Sequence, residues 1–264
     1  MLKPISFIGT GKMATALISC IYKNKLADEI IASDHNKENL ENIKSKFSIK
    51  TLTNNKEAVR NSEIVFICVK PQGIDDVLHE IKNVVKNQLV VSIAAGIKIK
   101  RIESILGKKR IIRVMPNINC LVGEMAAGFC AGKYATRDDI KTVSEILNSA
   151  GISFLIKEDL MDALSAVSGA GPAFFAYCIQ AIADAGVKKG LPKEISYKLA
   201  AKTALGTGKL LIEKNLIPED VIKMVASKKG VTLEGLKVLN KHKVKKILEK
   251  TFNAAYKRSR ELGK

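Results

Sequence analysis

Tryptophan is absent from this chain of 264 residues, aromatic residues make up only 5% of it, and histidine occurs 3 times. Each scarcity excludes something. The chain carries 44 Lys+Arg against 26 Asp+Glu, a formal net charge of +18. Nucleic-acid-binding surfaces commonly interleave such charge with aromatic residues or concentrate it in a motif. Here the lysines are dispersed and read as solvated helix faces, so no nucleic-acid partner is expected; a positive field would still favour an anionic cofactor. His35, His79 and His242 belong to no nucleophile or metal-ligand arrangement, and no H-E-x-x-H or paired-cysteine spacing occurs. No metal is therefore expected. The 5 cysteines (Cys20, Cys68, Cys120, Cys130 and Cys178) have no disulfide-framework spacing, which points to reduced thiols and a cytoplasmic setting. A strand-like run begins at Pro4-Ile5, leaving no room for a signal peptide. One uncharged stretch, Ala163–Ala183, has transmembrane length. It contains Ser165, Ser168, Gly169, Pro172 and Gln180, and Asp184 follows directly. A helix buried in an oligomer suits it better than a membrane span.

What is present is a change of pattern partway along the chain. The first part alternates short apolar runs with amphipathic segments. The runs are Ile5–Ile8, Ile30–Ser33, Ile64–Val69, Leu89–Ala94, Ile111–Met115 and Ile152–Ile156, with a weaker one at Ile49–Leu52. Between them lie helix-like stretches such as Lys12–Lys23, where Met13, Leu17, Cys20 and Ile21 share a face. This alternation predicts an α/β domain with a doubly wound parallel sheet over residues 1–158. Beyond it, segments of helical period take over. Pro192 opens a helix reaching about Glu213, Pro218-Glu-Asp220 begins another, and Val244–Leu262 is the last. Residues 159–264 are thus expected to form an all-helical domain.

Gly9-Thr-Gly11-Lys-Met-Ala14 fits G-x-G-x-x-A, after the first strand and at the opening of the first helix. Gly9 permits the tight turn, Gly11 lets a pyrophosphate approach the backbone, and Ala14 allows close helix–strand packing. Thr10, Lys12 and Met13 share that turn and are candidate cofactor contacts. At the end of the second strand, Asp34 could bind the ribose 2′-hydroxyl of NAD. Ser33, Asn36 and Lys37 could instead receive the 2′-phosphate of NADP. NADP is favoured, with NAD as the alternative. Val69-Lys70 and Ala94-Ala95-Gly96 follow later strands, at the carboxyl ends where such sheets bind ligands. Lys70 reads as a phosphate-binding group, as an acid or as a solvated lysine.

These pieces, in this order, resemble the pyrroline-5-carboxylate reductases. The shared runs are Phe7-Ile-Gly-Thr-Gly-Lys-Met-Ala14, Val69-Lys-Pro71, Val91-Ser-Ile-Ala-Ala-Gly96, Arg113-Val-Met-Pro-Asn117, Ser168-Gly-Ala-Gly-Pro-Ala-Phe174, Ala183–Pro192 and Gly230-Val-Thr-Leu233. The resemblance implies a Rossmann-type domain followed by a helical dimerisation domain, a homodimer, and in many members rings of dimers. It implies reduction of a cyclic imine carboxylate to L-proline by hydride from NAD(P)H. It also assigns residues: Thr232 as the catalytic threonine whose hydroxyl faces the ring nitrogen, Gly230 and Val231 as backbone ligands of the substrate carboxylate, Glu158 near the substrate, and Asn55 near the adenosine ribose. Read alone, Thr232 would be a helix cap, Glu158 a first-turn acid and Asn55 a turn residue.

The chain departs from the family pattern at Lys228-Lys229, where the usual loop reads Pro-Gly, at Ile118-Asn119 in place of Thr-Pro, and at Met125 in place of Gly. Two other readings compete. One is a β-hydroxyacid-type dehydrogenase using a helical-region lysine such as Lys188, Lys189 or Lys202. The other is an NADP-binding scaffold impaired in catalysis by the altered loop.

Overall fold

The computed structural model describes residues 3–263. A sheet of 8 strands carries the first part of the chain, in the order β3-β2-β1-β4-β5-β6-β7-β8. Its strands are β1 (Ile5–Ile8), β2 (Ile30–Ser33), β3 (Lys50–Leu52), β4 (Ile64–Ile67), β5 (Leu89–Ser92), β6 (Arg110–Met115), β7 (Met125–Ala131) and β8 (Gly151–Leu155). All neighbours run parallel except β6 and β7. The crossovers are α1 (Lys12–Lys23), α2 (Lys37–Lys46), α3 (Asn55–Arg60), α4 (Ile74–Ile81), α5 (Ile99–Leu106) and α6 (Arg137–Asn148). Strands β1, β2, β4 and β5 are buried along their whole length. That is why they read as continuous apolar runs rather than alternating ones.

Two apolar clusters result. One gathers Phe7, Leu17, Ile21, Phe66, Val91 and Phe129; the other gathers Ile8, Ile67, Leu78, Ile102 and Ile111. Phe7 and Phe66, paired across β1 and β4, stack with ring centroids 4.8 Å apart. The expected strands are all present, and the weak run at residues 49–52 forms β3 at the sheet edge. β7 was not expected. Its sequence, MAAGFCA, has none of the β-branched residues that mark strands. Pairing between β6 and β8 makes it extended. α6 begins with a capping box, Thr136 accepting from the Asp139 N–H and Asp139 accepting from the Thr136 N–H.

The helices that follow are α7 (Met161–Leu164), α8 (Gly171–Lys188), α9 (Lys193–Glu213), α10 (Pro218–Val225), α11 (Val231–Lys241) and α12 (Val244–Leu262). By internal packing the chain forms one compact unit within 1–170 and 255–264 and another of 171–254. Between α7 and α8, Ser165–Gly169 forms a π-helical turn in which the Ala170 N–H donates to the Ser165 carbonyl. The stretch 158–188 is long and apolar enough to cross a membrane by length and composition, yet it is broken by this turn. Inside the second unit α8 packs on α9. Ser196 Oγ donates to the Ala183 carbonyl (2.7 Å), and Tyr197 donates to Asp184 (2.6 Å). That hydrogen bond to a carboxylate, then burial, raises the Tyr197 pKa above its ordinary value.

Candidate active site

The turn after β1 has the geometry that a pyrophosphate site needs. Gly9 has φ +89°, and a Cβ there would lie 3.0 Å from the Cys68 carbonyl carbon and the Val69 nitrogen. Only glycine combines that angle with that approach. Gly11 caps α1 without a side-chain hydrogen bond, and nothing lies within 4 Å of where its Cβ would be. The first-turn N–H groups of α1 have no intrahelical acceptors, and no acid occupies that turn. The helix therefore presents bare donors and its positive end to an anion.

A cavity of about 230 Å³ opens beside this turn. It brings together Gly9, Thr10, Gly11, Asn55, Val69 and Lys70, all expected at the cofactor. Asp34, His35, Asn39 and Val77 complete much of its wall. Lys12, Met13, Ser33, Ala94 and Ala95 do not line it. Lys12 is exposed at the start of α1, and Met13 packs against the core. Ser33 is fully buried and donates to Asn55 Oδ1 (2.8 Å), while Asn55 Nδ2 donates to Glu80 (2.8 Å). Ser33 and Asn55 thus form a braced pair beneath the cavity. The turn, the bare helix end and the cavity fit a dinucleotide.

Asp34 is tied closely to the glycine turn. Its Oδ2 accepts from the Thr10 N–H and the Thr10 hydroxyl, both at 2.8 Å, and from Asn39 Nδ2 at 3.2 Å; Oδ1 accepts from the Asn36 N–H at 2.9 Å. Partial burial pushes the carboxyl pKa upward, but the bonds from Asn36, Thr10 and Asn39 together outweigh it and hold the group below the ordinary aspartate value.

Ala94 and Ala95 lie in the turn that follows β5, between that strand and α5. Two later parts of the chain grip this turn. The Ile99 N–H, at the start of α5, donates to Glu158 Oε1 at 2.8 Å. The same oxygen accepts from Arg113, a buried residue of β6, at 3.2 Å. From the other side the end of α12 closes in: a Cβ on Gly96 (φ +79°) would lie 2.9 Å from the Leu262 carbonyl oxygen. Glu158 is thus a brace between β6 and α5 in addition to any contact it makes with a substrate.

Two of the motifs meet within the first unit. Asn117 Nδ2 donates to the Ser168 carbonyl and hydroxyl, both at 3.2 Å, and the Ser168 hydroxyl donates to the Ala126 carbonyl. Asn117 Oδ1 in turn accepts from the Ala126 N–H at 3.3 Å. The π-helical turn is what presents Ser168 to Asn117; an uninterrupted apolar helical pattern carries no signal for it.

In the second unit, the loop at residues 227–230 leads into α11. Gly230 caps the helix with no side-chain hydrogen bond, and its N–H donates to the Ser227 carbonyl at 3.0 Å. Val231 and Thr232 hold the first two helical positions, where N–H groups lack intrahelical acceptors. Val231 is 91% exposed. Thr232 is therefore inside the helix rather than its cap. Lys229 has φ +63°, the left-handed region that suits glycine.

Residues 158–262 match the family model for pyrroline-5-carboxylate reductase dimerisation. Residues 4–96 match the model for coenzyme F420-dependent NADP oxidoreductase. The pyrroline-5-carboxylate reductase of Methanosarcina acetivorans is 38% identical over 264 residues, covering 98% of both chains. That of Synechocystis is 35% identical over 262 residues, again covering 98% of both. Among solved structures, a pyrroline-5-carboxylate reductase from Coxiella burnetii superposes with TM-score 0.94 at 29% identity, covering 100% of both chains. The Plasmodium falciparum pyrroline carboxylate reductase, a structure with NADP bound, superposes with TM-score 0.89 at 31% identity over 99% of this chain and 98% of that one.

Proposed function

This chain belongs to the pyrroline-5-carboxylate reductase family, and from that premise we propose how its residues divide the work of reducing 1-pyrroline-5-carboxylate to L-proline. The observation that carries the reading is the bare N-terminus of α1 behind Gly9 and Gly11, at the head of a chain that matches these reductases from end to end. When bound, NAD(P)H would supply the hydride. The protein's share is orientation: Gly9, Thr10, Gly11 and the main-chain N–H groups of Lys12 and Met13 hold the pyrophosphate end, Asn55, braced by the buried Ser33, faces the adenosine end, and Val69 and Lys70, with the Ala94-Ala95 turn, serve the nicotinamide end. Family membership sets aside the β-hydroxyacid reading, which needs a helical-region lysine as base.

For the substrate, Gly230, Val231 and Thr232 offer main-chain N–H groups to its carboxylate, as an uncapped helix start does for an anion. The Thr232 hydroxyl orients the ring nitrogen. Protonation of the imine nitrogen already makes the adjoining carbon electrophilic, so catalysis rests on positioning more than on a strong protein acid. Glu158 completes the substrate side.

The same reading takes the helical domain as the contact surface of a homodimer, able to assemble further into rings, in a cytoplasmic enzyme with neither membrane nor nucleic acid as partner. The free state of all 5 cysteines and the exposed apolar side chains of α8 and α9 support it.

Following NADPH or NADH consumption on addition of the cyclic imine tests the activity; the impaired-scaffold alternative would bind cofactor and consume none. In the Thr232→Ala variant, turnover is expected to fall about tenfold, the scale of one oriented hydrogen bond at roughly 1.4 kcal/mol. Unchanged turnover would remove Thr232 from the mechanism.

A further inference from the structure

The turn after β5 is weakly held by its own bonds. Its Ala94 N–H reaches the Ser92 hydroxyl at 3.4 Å, and its Ile97 N–H reaches the Ala94 carbonyl at 3.4 Å. Both are longer than the usual range for such bonds. Gly96, within the turn, takes φ +79°, a region that few other residues adopt. A turn that carries a reacting ring must nevertheless keep its place, because a misplacement of about 1 Å can cost about a hundredfold in rate. Its stiffness is therefore supplied from outside.

Two supports supply it, and they are joined to each other. One is Glu158, whose Oε1 accepts from the Ile99 N–H. The other is the end of α12. A Cβ on Gly96 would lie 2.9 Å from the Leu262 carbonyl oxygen and 3.2 Å from the Gly263 nitrogen, and a Cβ on Gly263 would lie 2.9 Å from the Gly96 carbonyl oxygen. The two backbones touch because a glycine stands on each side. Ser259, one turn before Gly263, donates to Asp162 Oδ1 at 2.7 Å. Asp162 lies in α7, just beyond Glu158. The contacts thus close a ring: the turn, Glu158, α7, α12 and the turn again. Residues 255–264 pack in the same compact unit as the sheet.

Resting on the reading of Ala94-Ala95 as the nicotinamide end, we propose that the end of α12, through Gly263 and Ser259, is a positioning element for hydride transfer. It clamps the turn after β5 so that the nicotinamide ring is held at its reacting distance. Both residues act through the turn rather than on the cofactor itself. The pyrophosphate is gripped elsewhere, by the turn after β1, so the clamp sets the rate of the hydride step more than the strength of cofactor binding.

Gly263→Ala places a methyl group against the Gly96 carbonyl and lifts the end of α12 from the turn; Ser259→Ala removes the tie to α7. Hydrogen exchange of the cofactor-free full chain reads the clamp directly. Amides of residues 93–98 are expected to exchange about tenfold faster in either variant, because local opening becomes easier. In single turnovers at saturating NAD(P)H and cyclic imine, the rate constant for nicotinamide oxidation is expected to fall about tenfold, while the cofactor dissociation constant, from nicotinamide fluorescence, moves by less than about twofold. Ser259→Thr keeps the hydroxyl and should match the unaltered protein in both exchange and rate. A purely structural role would unfold a fraction of the molecules, lowering the amplitude and leaving the rate constant of the rest unchanged; that outcome overturns the proposal. So does unchanged exchange in both variants, or cofactor binding weakened as much as the rate. An unaltered protein that binds NAD(P)H but reduces no imine would remove the reductase reading and this inference with it, an outcome distinct from variants that behave like the unaltered enzyme.

Discussion

Apart from Ala166 and Ala183, every fully buried apolar residue among those described lies at or before Met161. The sheet domain therefore closes its own core: β1, β2, β4 and β5 vanish from solvent, and the helices around them bury their apolar faces. The helical region behaves differently. Phe175 is 70% exposed, Tyr177 74% and Ile182 68%, although each sits in a well-formed helix. Exposed large apolar residues in such number mark a surface that another protein covers. The match of residues 158–262 to a dimerisation domain identifies that partner as a second copy. One half of the chain satisfies its hydrophobic residues alone; the other satisfies them only in company.

Substitutions can break this contrast. The largest effect is expected at Ile182. By its exposure in the single chain, Ile182→Asp would be nearly neutral, within about 0.5 kcal/mol. If a second copy covers it, the unpaired charge would cost several kcal/mol and split the dimer. Light scattering coupled to size-exclusion chromatography reads this; a dimer of unchanged thermal stability would contradict the assigned surface.

Next comes Glu158. Glu158→Ala strips the buried Arg113 of its carboxylate and the start of α5 of an acceptor. The expected loss is about 2–3 kcal/mol in urea unfolding, less than for a fully enclosed pair because Glu158 is partly in water. Glu158→Gln keeps an acceptor for Ile99 and should lose less. Equal losses from the two variants would mean that charge, not the hydrogen bond to α5, holds this brace.

The smallest effect belongs to the loop before α11. Lys229 has φ +63°, where a side chain costs about 1–2 kcal/mol and glycine pays no such steric penalty. Lys229→Gly is expected to stabilise the protein by about 1 kcal/mol, part of the relief being offset by glycine's greater freedom when unfolded. Destabilisation would show that the lysine side chain makes up for the backbone angle.

Much of the sheet domain was legible because its physics is local. Buried parallel strands need nearly continuous apolar runs rich in valine and isoleucine, as at Ile64–Ile67 and through most of Leu89–Ser92. Helices need apolar residues at helical spacing, and α1 and α12 fall on the bounds that spacing predicts. β7 was hidden because its alanines and glycine have no intrinsic taste for strand. α6 carried a readable signal in its capping box, Thr136 and Asp139, three residues apart. At the candidate site, the glycine turn after β1 could be read directly, since only glycine tolerates that geometry. The commitments of the polar residues could not. Ser33 looked available to a phosphate and is bonded to Asn55, and Glu158 looked like a first-turn acid and braces Arg113 and α5.

The sequence by itself determined the alternation of strands and helices, the phosphate-accepting turn, and the passage from a sheet to helices, because each follows from residue types a few positions apart. Only the tertiary structure decided which donors remain free and which are spent. Asn117 finds Ser168 through a π-helical turn, and Thr10 finds Asp34 across the mouth of the sheet. Those partners lie far apart along the chain, and hydrogen bonds are made between neighbours in space.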